Sequence, residues 1–546
     1  MVDVNGAERQ ATGRVVWLAL LSCLILAAAL RIWGIDYGVP HPTVRPDEER
    51  IVGRAYTILA TGDPSPVDYT YPGLMIYLNT LALGAYAWIG QLRGHYQSLF
   101  DFLFDVAVLR PGLQYLVCRA VSVVLGVATV FATFLLARDG YRSRAVGLVA
   151  AVCLATNYLH VRDSHFATVD VGMTLFVTVS LIYAVRASSV PSWKNYLLCG
   201  LFAGAAVAAK YNAALVILAL AAASVSAMLR GEESEGKTAR LIYRFLAAAM
   251  LMVVVFAVFS PYSLLHYRAA FNELATVRRF LTSGSDLGAW VHMSVTLPDG
   301  FGWPFFLAVM VAVPRAVWLR RPADVPVLAF VGAFSLHVGG LNVVYPRYVV
   351  PLAPVLSVLA AELLVSSIRG RRGYVVAAAT VVLVGPGLWK SIRIDRLLAR
   401  EDTRLMASQW VSENLPRRAA ILVCRGYGAP AINSDRRRPP AFEPLSIPCS
   451  LRAVEEAEAS YLVTHEHPSL WSSRILPPNL ATYLEKRGQR LVQYDPFRED
   501  FQGDVYYYGA DSFYLPFSGL GSVERGGPRI TIWKLARDGE RSTEDG

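Results

Sequence analysis

The hydrophobic positions of this chain gather into long unbroken runs rather than alternating or one-sided stripes. Runs occupy 14–33, 114–137, 144–161, 170–187, 195–209, 211–229, 241–260, 303–318, 324–342, 346–367 and 373–390. Each is apolar on all sides and near the ~20 residues a helix needs to cross a bilayer, so they read as about eleven membrane spans. A further run, 71–92, contains Asn79 and four tyrosine or tryptophan residues, and suits either a span or an interfacial helix. After Lys390 the pattern changes. It predicts a helix over Asp402–Asn414, a strand over Ala420–Cys424 and a Pro/Arg-rich loop over Arg436–Pro440. A strand at Tyr461–Thr464, a helix at Asn479–Arg487 and strands at Arg490–Tyr494 and Arg529–Leu535 complete a small α/β unit. The expected architecture is a polytopic α-helical membrane domain over 1–390, with a long first loop over 35–113, followed by a soluble α/β domain over 391–546.

Composition agrees with lipid as the main solvent. Of 546 residues 54% are hydrophobic and 17% charged. The net charge of +10 comes largely from short basic loops: Arg138–Arg144, Arg186–Lys194, Arg230–Arg244, Arg315–Arg321 and Arg369–Arg372. Cytoplasmic loops collect Arg and Lys, so all five are placed inside. With the N-terminus inside, this requires two spans before Arg138, which makes 71–92 interfacial or re-entrant and puts the C-terminal domain outside. Basic patches interleaved with aromatics are lacking, which argues against nucleic acid. Arg9 and Arg14 precede the first apolar run, but no convincing cleavage site follows it. That run reads as a retained first helix.

Cys23, Cys118, Cys153 and Cys199 lie in or beside apolar runs and read as small core residues. Cys424 and Cys449 lie in the soluble domain. Outside the cytoplasm they can bond to each other; two free thiols fit the sequence equally well.

The polar chemistry gathers in the loops assigned to the outside. Arg45-Pro46-Asp47-Glu48-Glu49-Arg50 follows the first span, and Pro46 suits a helix start with the acids in its first turn. Arg162–Asp170 reads as a short loop between spans with Asp163, His165 and Asp170, the last of which suits a helix cap. Lys210-Tyr211-Asn212, His266-Tyr267-Arg268 and Arg347 between Tyr345 and Tyr348 supply cations for a phosphate. Taken singly, each cation also suits snorkelling to lipid headgroups. A divalent metal is compatible with Asp47, Glu48, Asp163 and His165, although their spacing matches no recognised ligand motif. The aromatic stretches Tyr506-Tyr507-Tyr508 and Phe513–Phe517 suit ordinary packing, a sugar or a membrane surface. With no nucleotide phosphate loop present, a lipid-phosphate donor fits better than a nucleotide sugar.

In these residues the chain resembles bacterial membrane glycosyltransferases of the GT-C fold, in particular glycosyltransferase family 39 with its protein O-mannosyltransferases and lipid A aminoarabinose transferases. The resemblance covers about 1–390. It rests on Pro46-Asp47-Glu48, on Tyr71-Pro72-Gly73-Leu74 followed by Arg119, on Arg162–Asp170, on Gly200–Lys210 before Tyr211-Asn212, and on Arg347-Tyr348. It implies inverting transfer of a sugar from a polyprenyl-phosphate carrier to a glycan, lipid or protein of the cell envelope, outside a bacterial inner membrane. Asp47 would be the general base with Glu48 supporting it. Asp163, His165 and Asp170 would line the cavity, and Lys210, Arg347, Tyr348 and Arg268 would bind the donor. The large inserted loop of the O-mannosyltransferases is missing, which puts a protein acceptor in doubt. A transporter or flippase of lipid-linked saccharide is the alternative. It would show ionisable residues at mid-membrane and inverted repeats, whereas the clusters here sit at loop ends. A structural envelope protein would not need the acids of the first loop.

Overall fold

The computed structural model describes residues 4–536 apart from 42, 231–235, 285–286, 369–372, 433–441, 458, 471–472, 474, 499–504 and 512. The basic loop Arg369–Arg372, the Pro/Arg-rich loop, part of Arg230–Arg244 and the tail after Asp538 lie outside the described residues. The chain forms two compact units. The first comprises Met1–Ile32, Thr57–Ala82 and Cys118–Ile392, and the second Trp33–Tyr56, Leu83–Val117 and Arg393–Gly546.

Every apolar run is helical. In the first unit the helices are Val4–Ile32, Val169–Ser189, Trp193–Ala209, Lys237–Phe259, Trp303–Leu319, Asp324–Gly339 and Leu352–Ser367, with Tyr211–Leu229 turning from 3-10 to α. Leu113–Tyr141 and Gly373–Leu398 begin or end in the second unit. Among the described residues six helices are long and apolar enough to cross a membrane, or seven if one bent pair counts as a span. Trp303–Leu319, Asp324–Gly339 and Leu352–Ser367 are apolar but shorter. The 71–92 run is the helix Leu74–Leu92, which is not among the six.

The bent pair corrects one expectation. The run 144–161 is two helices, Arg144–Ala155 and Tyr158–Ser164, set at 59°. The break comes at Thr156-Asn157. There the Asn157 side chain accepts from the His160 backbone N–H at 2.9 Å and so caps a new helix. Hydropathy does not register a cap inside an apolar run.

Helix Trp193–Ala209 packs on Val169–Ser189 and on Lys237–Phe259. Its Gly200 and Gly204, one turn apart, allow the second contact. A Cβ on Gly200 would lie 2.2 Å from the Ala248 carbonyl oxygen, and one on Gly204 would lie 2.6 Å from that of Met252. Lipid offers no hydrophobic drive for helices to associate, so close backbone approach at small residues supplies the packing.

The second unit is built on a five-stranded sheet: β1 Ala420–Cys424, β2 Glu443–Ile447, β3 Tyr461–Glu466, β4 Gly488–Tyr494 and β5 Arg529–Leu535, in the order β2-β1-β3-β5-β4. β1 runs parallel to β2 and β3, and β5 antiparallel to β3 and β4. Side-chain alternation gives the sheet two buried faces. Ile421 and Val423 pack with Ala407 and Val411 of helix Thr403–Asn414, while Leu422 packs with Leu480 and Leu484 of helix Pro478–Arg487. The sequence pattern missed β2. It is an edge strand carrying Pro444, and four of its five residues are exposed, so it has no alternation to read.

Cys424 and Cys449 are bonded, their Cα atoms 4.8 Å apart and 25 residues apart in sequence. Cys23, Cys118, Cys153 and Cys199 are buried and form no disulfide among the described residues. Closing a loop of that length stabilises a fold by about 3 kcal/mol. The double variant C424A/C449A is therefore expected to lower the denaturation midpoint of this unit by that equivalent. Reductant should have the same effect on the wild type, and equal midpoints with and without reductant would show that the bond contributes nothing.

Candidate active site

In the first unit the broken helix delivers its last turn as a polar end. Arg162, Asp163 and Ser164 belong to that helix, which corrects the expected loop: only residues 165–168 link it to the next one. Arg162 Nη1 lies 3.8 Å from Asp163 Oδ2, and both side chains are buried. His165 is fully buried with Nδ1 2.9 Å from the Val161 carbonyl oxygen. A carbonyl only accepts, so Nδ1 carries a hydrogen. Arg119, also buried, lies over the Phe166 ring at 5.2 Å.

Asp170 is the second residue of helix Val169–Ser189, where a negative charge meets the positive end of the helix dipole. Its Oδ1 accepts from Lys210 Nζ at 2.7 Å. Lys210 ends helix Trp193–Ala209 in extended backbone, with its own N–H bonded to Ala206. The same Nζ lies 4.6 Å from the centre of the Tyr348 ring. Arg347, 4% exposed, lies 4.8 Å over the Tyr345 ring, and the two tyrosine rings are 5.2 Å apart. Two cations therefore flank one tyrosine pair, held by cation–π contacts. Arg268 has a different local setting. It is exposed on helix Tyr267–Thr282 and donates to the neighbouring Tyr267 hydroxyl at 3.2 Å.

The acidic motif lies in the second unit. Helix Glu48–Thr61 begins after Asp47, with Glu48 and Glu49 in its first turn. Pro46 is not its start, which corrects that expectation. Instead Arg45-Pro46-Asp47-Glu48 is a turn closed by the Glu48 N–H on the Arg45 carbonyl oxygen, 3.2 Å apart. Asp47 has φ +73°. Proline second and a left-handed residue third are the signature of a type II turn, where glycine or asparagine is usual at the third place. An aspartate there is under mild strain, which recurs at functional positions. Glu48 is buried and Glu49 partly so. Burial first, and then the charges of Asp47 and Glu48, push the Glu49 carboxyl up to about 7. The sequence reading gave Glu49 no role, and only its place beside two other acids hinted at one.

Among the described residues no group of three or more His, Cys, Asp or Glu side chains is arranged to hold a metal ion. The aromatic stretches of the C-terminal region are packing. Tyr507, Tyr508, Phe513, Tyr514 and Phe517 are buried, and His467 meets Tyr507 edge-on at 4.4 Å. Tyr506 alone among these is exposed, at 39%.

Residues 109–265 match the family described as dolichyl-phosphate-mannose-protein mannosyltransferase. No curated protein matches the chain in sequence. ArnT from Cupriavidus metallidurans, solved bound to undecaprenyl phosphate, is similar in structure over 96% of this chain and 99% of its own, at 14% identity and TM-score 0.52. The archaeal oligosaccharyltransferase AglB from Archaeoglobus fulgidus was solved with an inhibitory peptide and a dolichol-phosphate. It is similar over 96% of this chain and 89% of its own, at 11% identity and TM-score 0.52. At these identities the likeness is one of fold. Joined to the family match over the helices that carry Arg119, Asp163, His165, Asp170 and Lys210, it makes the chain a multi-pass membrane glycosyltransferase of the GT-C fold.

Proposed function

We propose that this enzyme moves a sugar from a polyprenyl-phosphate carrier to a glycan, lipid or protein of the cell envelope, on the outer side of a bacterial inner membrane. The observation that carries the reading is the pair of cations on the Tyr345–Tyr348 rings. Lys210 and Arg347 suit the phosphate of the carrier, the Arg as a planar fork and the Lys as a point charge. Asp47 takes the proton of the acceptor hydroxyl, with Glu48 beside it. The acceptor oxygen then attacks the anomeric carbon from the face opposite the phosphate, so that the configuration inverts as the phosphate leaves. The cations stabilise the charge that develops on that phosphate. Asp170 orients Lys210; Asp163 and His165 line the donor cavity, and Arg268 and Tyr348 contribute to binding.

The N-terminus is placed in the cytoplasm and the C-terminal domain outside, in keeping with the basic loops. The Cys424–Cys449 bond supports that side, since disulfides persist in oxidising compartments.

The test is incubation of the purified protein with a panel of polyprenyl-phosphate sugars, followed by mass spectrometry for loss of sugar from the carrier. Failure to turn over any donor would count for the transporter alternative. With the active donor, Arg347→Ala is expected to lower kcat/KM about 100-fold. Lys210→Gln should act in the same direction, and unchanged kcat/KM in both would remove them from the phosphate.

A further inference from the structure

Among the described residues, the segment leading into the acidic turn is tied repeatedly to the C-terminal part of the second unit. The Tyr37 hydroxyl donates to Asp402 Oδ2 at 2.8 Å. His41 Nε2 donates to the Ala429 carbonyl oxygen at 2.9 Å. Arg404 Nη1 donates to the carbonyl oxygens of Thr43, at 3.2 Å, and Tyr427, at 3.0 Å. Arg45 Nη1 lies 2.7 Å from Asp511 Oδ2 with both side chains buried, and its guanidinium sits 4.6 Å over the Phe513 ring.

The last tie differs from the others. Arg45 is the first residue of the turn whose third residue is Asp47, and the turn closes on the Arg45 carbonyl. A buried arginine held by a carboxylate below and an aromatic face beside it has one place to be. With Arg45 fixed and Pro46 rigid, the direction of the Asp47 side chain follows. A type II turn with aspartate at its third place is strained, and such a conformation persists only where its surroundings over-determine it.

We infer that Asp511, acting through Arg45 and assisted by Phe513, is a positioning residue for Asp47, so that the C-terminal domain is a working part of the active site rather than an appendage. This rests on the reading of Asp47 as the base. A misplacement of about 1 Å at a reacting group costs on the order of 100-fold in rate. The Asp511→Asn enzyme is therefore expected to lose about 100-fold in kcat with KM for the donor nearly unchanged. Asp511→Glu, which keeps the charge, should recover much of the loss. Phe513→Leu leaves no charge unpaired and should cost about 10-fold.

A second readout needs no activity. Hydrogen exchange of the full-length protein in detergent should quicken over 43–50 in Asp511→Asn, while β3 and β5 keep their protection. Asp495→Asn, which breaks an exposed ion pair with Arg529, serves as control and should change neither readout. Unchanged kcat, or unchanged exchange over 43–50, would overturn the inference. So would exchange that quickens equally across β3 and β5, which marks general unfolding. Running Asp47→Asn in parallel separates the two claims. An active Asp47→Asn enzyme sinks the base assignment, whereas an inactive one beside a fully active Asp511→Asn enzyme sinks only the positioning role.

Discussion

Asp47→Asn is expected to reduce transfer by about 10³-fold or more, within the range that general-base catalysis contributes, at wild-type protein level. Asparagine is the right replacement because of the backbone. At φ +73° an alanine would add strain of its own, whereas asparagine tolerates the left-handed region as aspartate does. Lost activity then reports lost basicity rather than a collapsed turn. The measurement is release of sugar from the polyprenyl-phosphate donor per folded molecule, and substantial activity in the variant would refute Asp47 as base. Glu48→Gln should cost less, since the residue supports the base without accepting the proton.

Arg404→Met is expected to destabilise the second unit by about 3–5 kcal/mol, the usual cost of stranding one member of a buried ion pair. Asp402 and Arg404 are both fully buried. Asp402 Oδ1 accepts from Arg404 Nε at 2.8 Å and Oδ2 from Nη2 at 2.8 Å. Without the guanidinium, the carboxylate keeps the Tyr37 hydroxyl and the Arg404 backbone N–H but loses its balancing charge, and the carbonyls of Thr43 and Tyr427 lose the Nη1 donor. Thermal unfolding of the full-length protein, followed through the tryptophans, should shift down by about 10 °C. The double variant D402L/R404M should recover part of that, because removing a whole buried pair is cheaper than removing half of one. A single variant as stable as the wild type would show that the pair carries no weight.

The same carboxylate sets a pH limit, and Glu49 sets another of opposite sign. Burial would raise Asp402, but the Arg404 charge and hydrogen bonds outweigh it and hold the carboxyl down to about 2, against an ordinary 3.8. Its contribution to stability is full above 3.8 and is lost as pH falls through about 2. Glu49 is raised to about 7 from 4.5. Its contribution is full below 4.5 and is lost as pH rises through about 7.

Helices and strands were legible where a residue's solvent decides its neighbours. Runs such as 170–187 and 211–229 are apolar on every side because lipid or other helices meet every side, so composition sufficed to call them helices. β5 was readable to its ends at Arg529 and Leu535, and the helix read over Asp402–Asn414 is Thr403–Asn414 with Asp402 as its cap. Both are local signals of residue pattern. The break at Asn157, the Pro444 edge strand and the turn before Glu48 were not readable. Each depends on one or two residues whose local preference is shared by several conformations.

The site divides along the same line. The chemical types were plain from the sequence: acids after the first helix, Asp163 and Asp170 at one junction, cations at Lys210 and Arg347. Those residues are costly to keep near lipid without a use, and that cost is visible in one dimension. Their partners were not visible. That Lys210 would meet Asp170 and the Tyr348 ring, or Arg45 a carboxylate 466 residues further on, depends on helices and strands far apart in sequence packing side by side. Hydropathy and capping are properties of a residue and its near neighbours. Ion pairs such as Arg45–Asp511 and Lys210–Asp170 are properties of two distant residues together, and folding alone brings them to one place.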